Sequence, residues 1–238
     1  MTTDASPLDP ATAAVLATLS TATVTTILLG KGLRNVWMRG PVAQRDDGRR
    51  VVGPAFTLRF VPAREDLATP ASWASPISTR AAIEAMPPGA VVVADAMGVT
   101  DAGVFGDILA ARLARRGAAA LVTDGAVRDR AGVLATGLPL WCAGAAAPPS
   151  VAGLTFVAWD QPVGCGGVAV FPRDVIVADG DGAVVIPAAL VADVVAAGPE
   201  QERREAWIMT EVERGVALPG LYPMNAETRA RYEAERDA

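Results

Sequence analysis

The residues best suited to chemistry in this chain lie in two short stretches, Gly106-Asp107-Ile108-Leu109 and Asp124-Gly125-Ala126-Val127-Arg128-Asp129. Arginine presents a planar fork that grips a carboxylate through two parallel hydrogen bonds, so Arg128 is a candidate anion ligand. Asp129 beside it supplies the kind of oxygen that Mg²⁺ or Mn²⁺ prefers. A helix opening at Gly106 would present first-turn amides that lack intrahelical partners, and glycine lets an anion come close to them. Asp107 is negative and would repel that anion unless it faces Arg128 or a metal-bound water, so it is read as an orienting or proton-relaying group. The plainer reading is that Asp107 and Asp129 cap helices while Arg128 forms a surface ion pair. Spacing alone leaves both readings open.

Composition removes most competing chemistries. The chain has 238 residues and no histidine, which excludes Ser-His-Asp and Cys-His catalysis and His-ligated zinc. Lys31, between Gly30 and Gly32, is the one lysine available for a Schiff base, and it reads as a solvated loop charge. Cys142 and Cys165 make no zinc set and read as small buried hydrophobes. Acid–base work therefore falls to carboxylates, tyrosine, arginine or metal-bound water. A net charge of -5 argues against nucleic-acid or membrane-surface partners. The start, with Asp4 and Asp9 and no basic stretch, does not resemble a signal peptide. No apolar run approaches the roughly 20 residues of a spanning helix, so a cytoplasmic protein is expected.

The elements that must position these residues follow from local pattern. Asp9-Pro10 and Ser20 or Thr21 are helix starts, predicting two helices within the first thirty residues. Residues 49–61 read as a strand interrupted at Gly53-Pro54, and 62–76 as a Pro- and Ser-rich loop. A short helix over 78–85 follows. Ala90–Ala94, Ala119–Thr123 and Leu138–Cys142 are short apolar runs of the kind buried on both faces of a sheet. Helices are predicted between them over 106–116 and 127–135, the first closed by Gly117. This β-α-β-α-β order implies a parallel sheet, with both candidate stretches at the carboxyl ends of its strands, where α/β sheets bind ligands. Strands are then predicted over 168–171, 175–177 and 183–186. Asp179-Gly180-Asp181-Gly182 is a tight turn, since it lacks the later ligands of a calcium loop. Two helices, 188–197 and 201–214, precede a tail from Leu218 suited to wrapping a neighbour. With no repeat and no linker, residues 1–238 read as one domain.

Asp107, twenty intervening residues, then Arg128-Asp129 form a D-x20-R-D pattern. This pattern resembles the signature of the RraA-like superfamily, which includes the 4-hydroxy-4-methyl-2-oxoglutarate/4-carboxy-4-hydroxy-2-oxoadipate aldolases. Gly53-Pro54-Ala55-Phe56-Thr57, Gly166-Gly167-Val168 and the stretch from Asp174 to Pro187 are similar to its other segments. Ala147-Pro148-Pro149-Ser150 and Leu218-Pro219-Gly220-Leu221-Tyr222-Pro223 resemble a sub-branch. The resemblance implies a swivelling-domain-like α/β sandwich with a parallel β-α-β-α-β core and C-terminal helices. It also implies a homotrimer or hexamer with sites shared between subunits.

The same resemblance implies a class II, metal-dependent lyase acting on a small 2-oxo acid. Backbone groups of Gly106, Asp107, Ile108 and Leu109 would bind the pyruvyl end, Arg128 its carboxylate or oxo oxygen, and Asp129 a divalent Mg²⁺ or Mn²⁺ through waters. Glu205 or Glu202 would be the carboxylate donated by a neighbouring subunit, though either suits a solvated helix face equally. Cleavage beside the 2-oxo acid would leave a pyruvate enolate, with Asp107 as one candidate base, and oxaloacetate decarboxylation would reach the same enolate. The substrate's distal half would meet 62–76 and 143–150, whose residues are mostly small. Relatives also carry the names of a ribonuclease regulator and a quinone methyltransferase. The chain lacks a G-x-G-x-x-G element for the latter. A sugar-acid lyase or dehydratase is the nearer alternative.

Overall fold

A computed structural model describes residues 8–45 and 47–236, so the acidic start at Asp4 lies outside them. Two helices open the chain, α1 (Pro10–Leu16) and α2 (Thr21–Gly30). Asp9 caps the first by accepting from the Thr12 amide, and Ser20 caps the second by accepting from the Thr23 amide. Then come β1 (Val42–Ala43), β2 (Val51–Pro62), α3 (Thr79–Ala85), β3 (Val91–Asp95), α4 (Asp107–Arg115), β4 (Ala120–Val127), α5 (Arg130–Ala135), β5 (Leu140–Ala145) and β6 (Leu154–Trp159). The hairpin β7 (Val175–Asp179) and β8 (Gly182–Ile186) leads to the long α6 (Val191–Glu213) and to α7 (Ala226–Arg236).

The strands form one mixed sheet in the order β1-β5-β4-β3-β2-β7-β8, with β6 paired to the far half of β2. As the apolar runs predict, β3, β4 and β5 are parallel, linked by α4 and α5. The sheet nearly closes into a barrel. Trp37 pairs with Val184 of β8, and Val42 and Ala43 pair with β5 at the opposite edge. The segment after α2 therefore ties the two edges together.

Period-2 alternation sorts the strands' apolar residues between two faces. Val91, Val93, Ala120, Val122, Ile176, Ala178, Ala183 and Val185 point into the barrel. Val92, Ala94 and Leu121 face the opposite side, in the core that includes Ile83, Ala110, Leu113 and Val133 of α3, α4 and α5. Val175, Val177, Val184 and Ile186 pack with residues of α1, α2 and α6. This double burial is why these strands read as unbroken apolar runs.

Besides adding β1, β6 and α7, which the sequence pattern does not predict, the structure departs from that pattern in four places. Gly53-Pro54 does not interrupt β2; a side chain at Gly53 would sit 2.5 Å from the Gly89 carbonyl oxygen, and Pro54 stays in register with Val175. β4 runs on to Val127, so the helix expected over 127–135 is shorter and begins at Arg130. Residues 103–105 hold that extension in place: Val104 N–H donates to Ala126 O (2.9 Å) and Arg128 N–H to Phe105 O (2.8 Å). In place of the strand expected over 168–171 there is a 3₁₀ turn, Cys165–Gly167, and a lone bridge from Val163 to Val170. Gly166 is left-handed there (φ 58°), with the Arg39 backbone 2.6 Å from where a Cβ would stand. Finally, α6 is continuous through Gly198-Pro199. An interior proline removes one helix bond, but at Gly198 a Cβ would lie 2.2 Å from Leu19 Cδ1, so the helix is held by its packing on the N-terminal helices. The tail returns to its own chain: Tyr232 of α7 meets Trp207 of α6 edge-on at 5.5 Å.

Candidate active site

The end of β4 and the starts of α4 and α5 converge on one small cleft. Close packing of glycines makes this convergence feasible. A Cβ on Gly103 would lie 2.6 Å from the Arg128 nitrogen, one on Gly106 would lie 3.1 Å from Arg128 Cγ, and one on Gly132 would lie 2.8 Å from Asp107 Cβ. Asp129 turns the chain from strand into helix in the left-handed region, at φ 51°. Aspartate tolerates that conformation better than most residues.

Gly106, Asp107, Ile108, Leu109, Arg128 and Asp129 all line this cleft, of about 260 Å³. Arg128 Nε lies 3.1 Å from Asp129 Oδ2, with the two side chains 39% and 50% exposed. An ion pair so exposed contributes roughly 0–1 kcal/mol, so stability alone does not explain its position. No other side-chain partner of Arg128 occurs among the described residues, which leaves its two Nη groups for a ligand. Asp107 Oδ1 accepts from the Ile108 amide at 2.7 Å, so that first-turn donor is already engaged. Neither aspartate side chain makes the N-cap bond that the plainer reading called for: Gly106 is the N-cap of α4, and Asp129 stands at the N-cap of α5 without capping it.

Glu205 and Glu202 stand apart from this cleft within the chain, on α6. Glu202 Oε1 accepts from the Ser20 amide at 2.7 Å and so closes the start of α2. Glu205 Oε1 accepts from Gln201 Nε2 at 2.7 Å.

A family model described as RraA-like, Aldolase/RraA, matches residues 17–185. The chain belongs to this family. One RraA-like relative, from Halalkalibacterium halodurans, is 34% identical over 157 residues, which cover 66% of this chain and 68% of that protein. It bears the name "Putative 4-hydroxy-4-methyl-2-oxoglutarate aldolase". The crystal structure of Streptomyces coelicolor RraAS2, described as an unusual member of the RNase ES inhibitor RraA protein family, is 36% identical with a TM-score of 0.76. That match covers 85% of this chain and 97% of RraAS2. A Pseudomonas syringae pv. tomato protein of unassigned function is 26% identical with a TM-score of 0.79, over 94% of this chain and 99% of that one.

In this RraA-like chain the donor set near Arg128 is sparse. Among the described residues no group of three or more His, Cys, Asp or Glu side chains is placed to hold a metal ion. Asp129, half exposed, with Asp107 in the same cleft, fits an ion that keeps several waters and takes one or two carboxylates, as Mg²⁺ does, better than an enclosed zinc. Both cysteines are buried and free, and burial pushes both thiols up from their ordinary value.

Two features of the region escaped the sequence reading. Asp124 is buried, and its carboxylate accepts from the amides of Ala96 (2.8 Å), Gly98 (3.1 Å) and Gly166 (3.0 Å). It therefore pins the ends of β3 and β4 and the 3₁₀ turn together, although burial pushes its pKa up against those bonds. Nothing local distinguishes it from a turn aspartate. The second feature is the pair Trp73 and Arg80, which stand on the far wall of the cleft beside Pro149 and Ser150 of the expected lining stretches. The stretches 62–76 and 143–150 do reach the site, but with an indole among their small residues.

Proposed function

We propose that this RraA-like chain is a divalent-metal-dependent lyase that cleaves a C–C bond of a 4-hydroxy-2-oxo acid and releases pyruvate. The observation that carries this reading is the convergence of Arg128, Asp129 and the first turn of α4 in one cleft at the carboxyl ends of parallel strands. The name borne by the H. halodurans relative supports the same reading.

Arg128 holds the substrate carboxylate with its free Nη groups while its Nε orients Asp129. Asp129, with Asp107 nearby, would hold Mg²⁺ or Mn²⁺, which when bound supplies Lewis-acid stabilisation of negative charge. As the C3–C4 bond breaks, its electrons pass into the pyruvate enolate and the 4-hydroxyl becomes the carbonyl of the second product. Arg128 and the α4 amides stabilise the negative charge, each well-placed donor by ~3 kcal/mol. The 4-hydroxyl proton goes to a carboxylate, either Asp107 through water or Glu205 of the partner subunit, and a proton is returned to C3. Glu205 is preferred to Glu202 because Glu202 joins α6 to the start of α2 through Ser20, whereas Glu205 accepts from Gln201 of its own helix. The same reading takes the nearly closed sheet as a swivelling-domain sandwich assembled as trimers or paired trimers. Loss of CO₂ from oxaloacetate would leave the identical enolate, so decarboxylation is an accessible side reaction.

The test is to supply 4-hydroxy-2-oxo acids and oxaloacetate with Mg²⁺ or Mn²⁺ and to assay pyruvate, with EDTA as control. Pyruvate that appears with metal and disappears with EDTA is expected. No pyruvate from any substrate with either ion would overturn the lyase reading. It would favour the second one, a ribonuclease-binding regulator, which the description of RraAS2 motivates. Co-purification with a ribonuclease, unaffected by Arg128→Ala, is the outcome specific to that alternative.

A further inference from the structure

A second, larger cleft lies away from the candidate active site. The active cleft sits at the carboxyl ends of the parallel strands, whereas this one, of about 930 Å³, opens at the amino end of β3, beside Gly89 and Ala90. Its size falls within the roughly 300–1,000 Å³ usual for small-molecule pockets. Phe56 of β2, Trp159 of β6, Val175 of β7, Val191 of α6 and the Pro87-Pro88 turn after α3 give it apolar walls. Its charged groups are Asp9, Asp160 and Arg173. Asp9 is already spent on the cap of α1, where it accepts from the Thr12 amide at 2.9 Å.

Asp160 and Arg173 remain. The Asp160 amide donates to Thr57 O (2.9 Å) and the Arg173 amide to Ala55 O (3.1 Å), so both are fixed along β2, where its partner changes from β6 to β7. Both hold left-handed backbone, with φ 53° and 75°. Aspartate tolerates that region, but arginine has no preference for it. Arg173 Nη2 and Asp160 Oδ2 are 3.7 Å apart, close enough for an ion pair and too far for a hydrogen bond, and both side chains are 47% exposed. Neither side chain hydrogen-bonds to another described residue. A pair this exposed adds little stability, so it does not account for an arginine on strained backbone. Each charge keeps its hydrogen-bonding capacity at the edge of an apolar cleft.

We infer that this cleft binds an apolar α-amino acid, with its carboxylate on Arg173, its ammonium on Asp160 and its side chain among Phe56, Trp159 and the two prolines. A ligand with only a negative charge would face Asp160, and one with only a positive charge would face Arg173. A zwitterion meets both. The site stands apart from the lyase reading and does not depend on it.

Calorimetric titration with L-phenylalanine, 3-phenylpropanoate and 2-phenylethylamine separates the two charges, since the second compound lacks the ammonium and the third the carboxylate. L-Phenylalanine should bind about 10- to 100-fold tighter than either, the range of a charge-assisted hydrogen bond. Arg173→Gln should remove its advantage over 2-phenylethylamine, and Asp160→Asn its advantage over 3-phenylpropanoate. Arg173→Lys should restore part of the first. Arg128→Ala should bind L-phenylalanine as the wild type does; weaker binding there would put the ligand in the active cleft and overturn the inference. Equal affinities for the three compounds, or no binding of L-phenylalanine at ~10 mM, would overturn it as well.

Discussion

Arg128 and Asp129 are sequence neighbours whose side chains meet at 3.1 Å, because Asp129 adopts a left-handed backbone where β4 gives way to α5. One guanidinium thus holds Asp129 through Nε, and its Nη fork has no other side-chain partner among the described residues. Arg128→Ala should lower pyruvate release by on the order of 100- to 1,000-fold, as loss of a preorganised donor does. Arg128→Lys should fall between, since a single ammonium cannot replace both Nε and the Nη fork. Steady-state rates measured beside an unchanged thermal melt would check this.

Asp129→Asn should keep the fold, because asparagine tolerates the left-handed region as well as aspartate does. Its effect should fall on metal affinity: the Mn²⁺ concentration giving half-maximal activity should rise at least tenfold. An unchanged metal titration would remove Asp129 from the ligand set.

Gly103→Ala tests the packing behind the cleft. The added Cβ would stand 2.6 Å from the Arg128 nitrogen and 2.9 Å from its Cβ. Overpacking of this kind costs ~1–3 kcal/mol. The variant should melt lower and also lose activity at temperatures where it remains folded, since Arg128 must move.

Asp124→Ala removes the acceptor of three amides, of which those of Ala96 and Gly166 are buried and that of Gly98 is closer to solvent. The expected loss is on the order of 3 kcal/mol, given the penalty for unpaired buried donors. Denaturant unfolding would read it, and a loss below ~0.5 kcal/mol would show that the pin is dispensable.

Glu202 gives stability a pH dependence. Burial alone would raise its pKa, but the Ser20 amide, the hydroxyls of Thr23 and Ser20, and Arg50 together hold it below its ordinary value of 4.5. A folded-state pKa below the unfolded one contributes stability above the unfolded value, and that contribution is lost as pH falls through the folded one. Glu202→Gln should therefore melt lower than wild type at neutral pH, and the gap should close as the pH drops below about 4.5. Melting curves across that range would show whether it does.

By itself the sequence determined whatever depends on neighbours along the chain. Asp9 and Ser20 cap helices because a side-chain oxygen reaches an amide three residues on. The Asp179–Gly182 turn and the three parallel apolar strands follow equally from local chemistry and burial. The pairing of Gly106–Leu109 with Arg128 and Asp129 was legible because strand–helix junctions of a parallel sheet share one edge. Tertiary structure alone decided the rest. β4 extends to Val127 because residues 103–105 pair with it, and α6 passes through Pro199 because Leu19 packs on Gly198. Asp124 became a buried pin, and Arg80 came to stand over Trp73 in the cleft, through contacts between elements remote from one another. Packing between such elements leaves no periodic trace in the chain, because each partner's position is set by the whole fold.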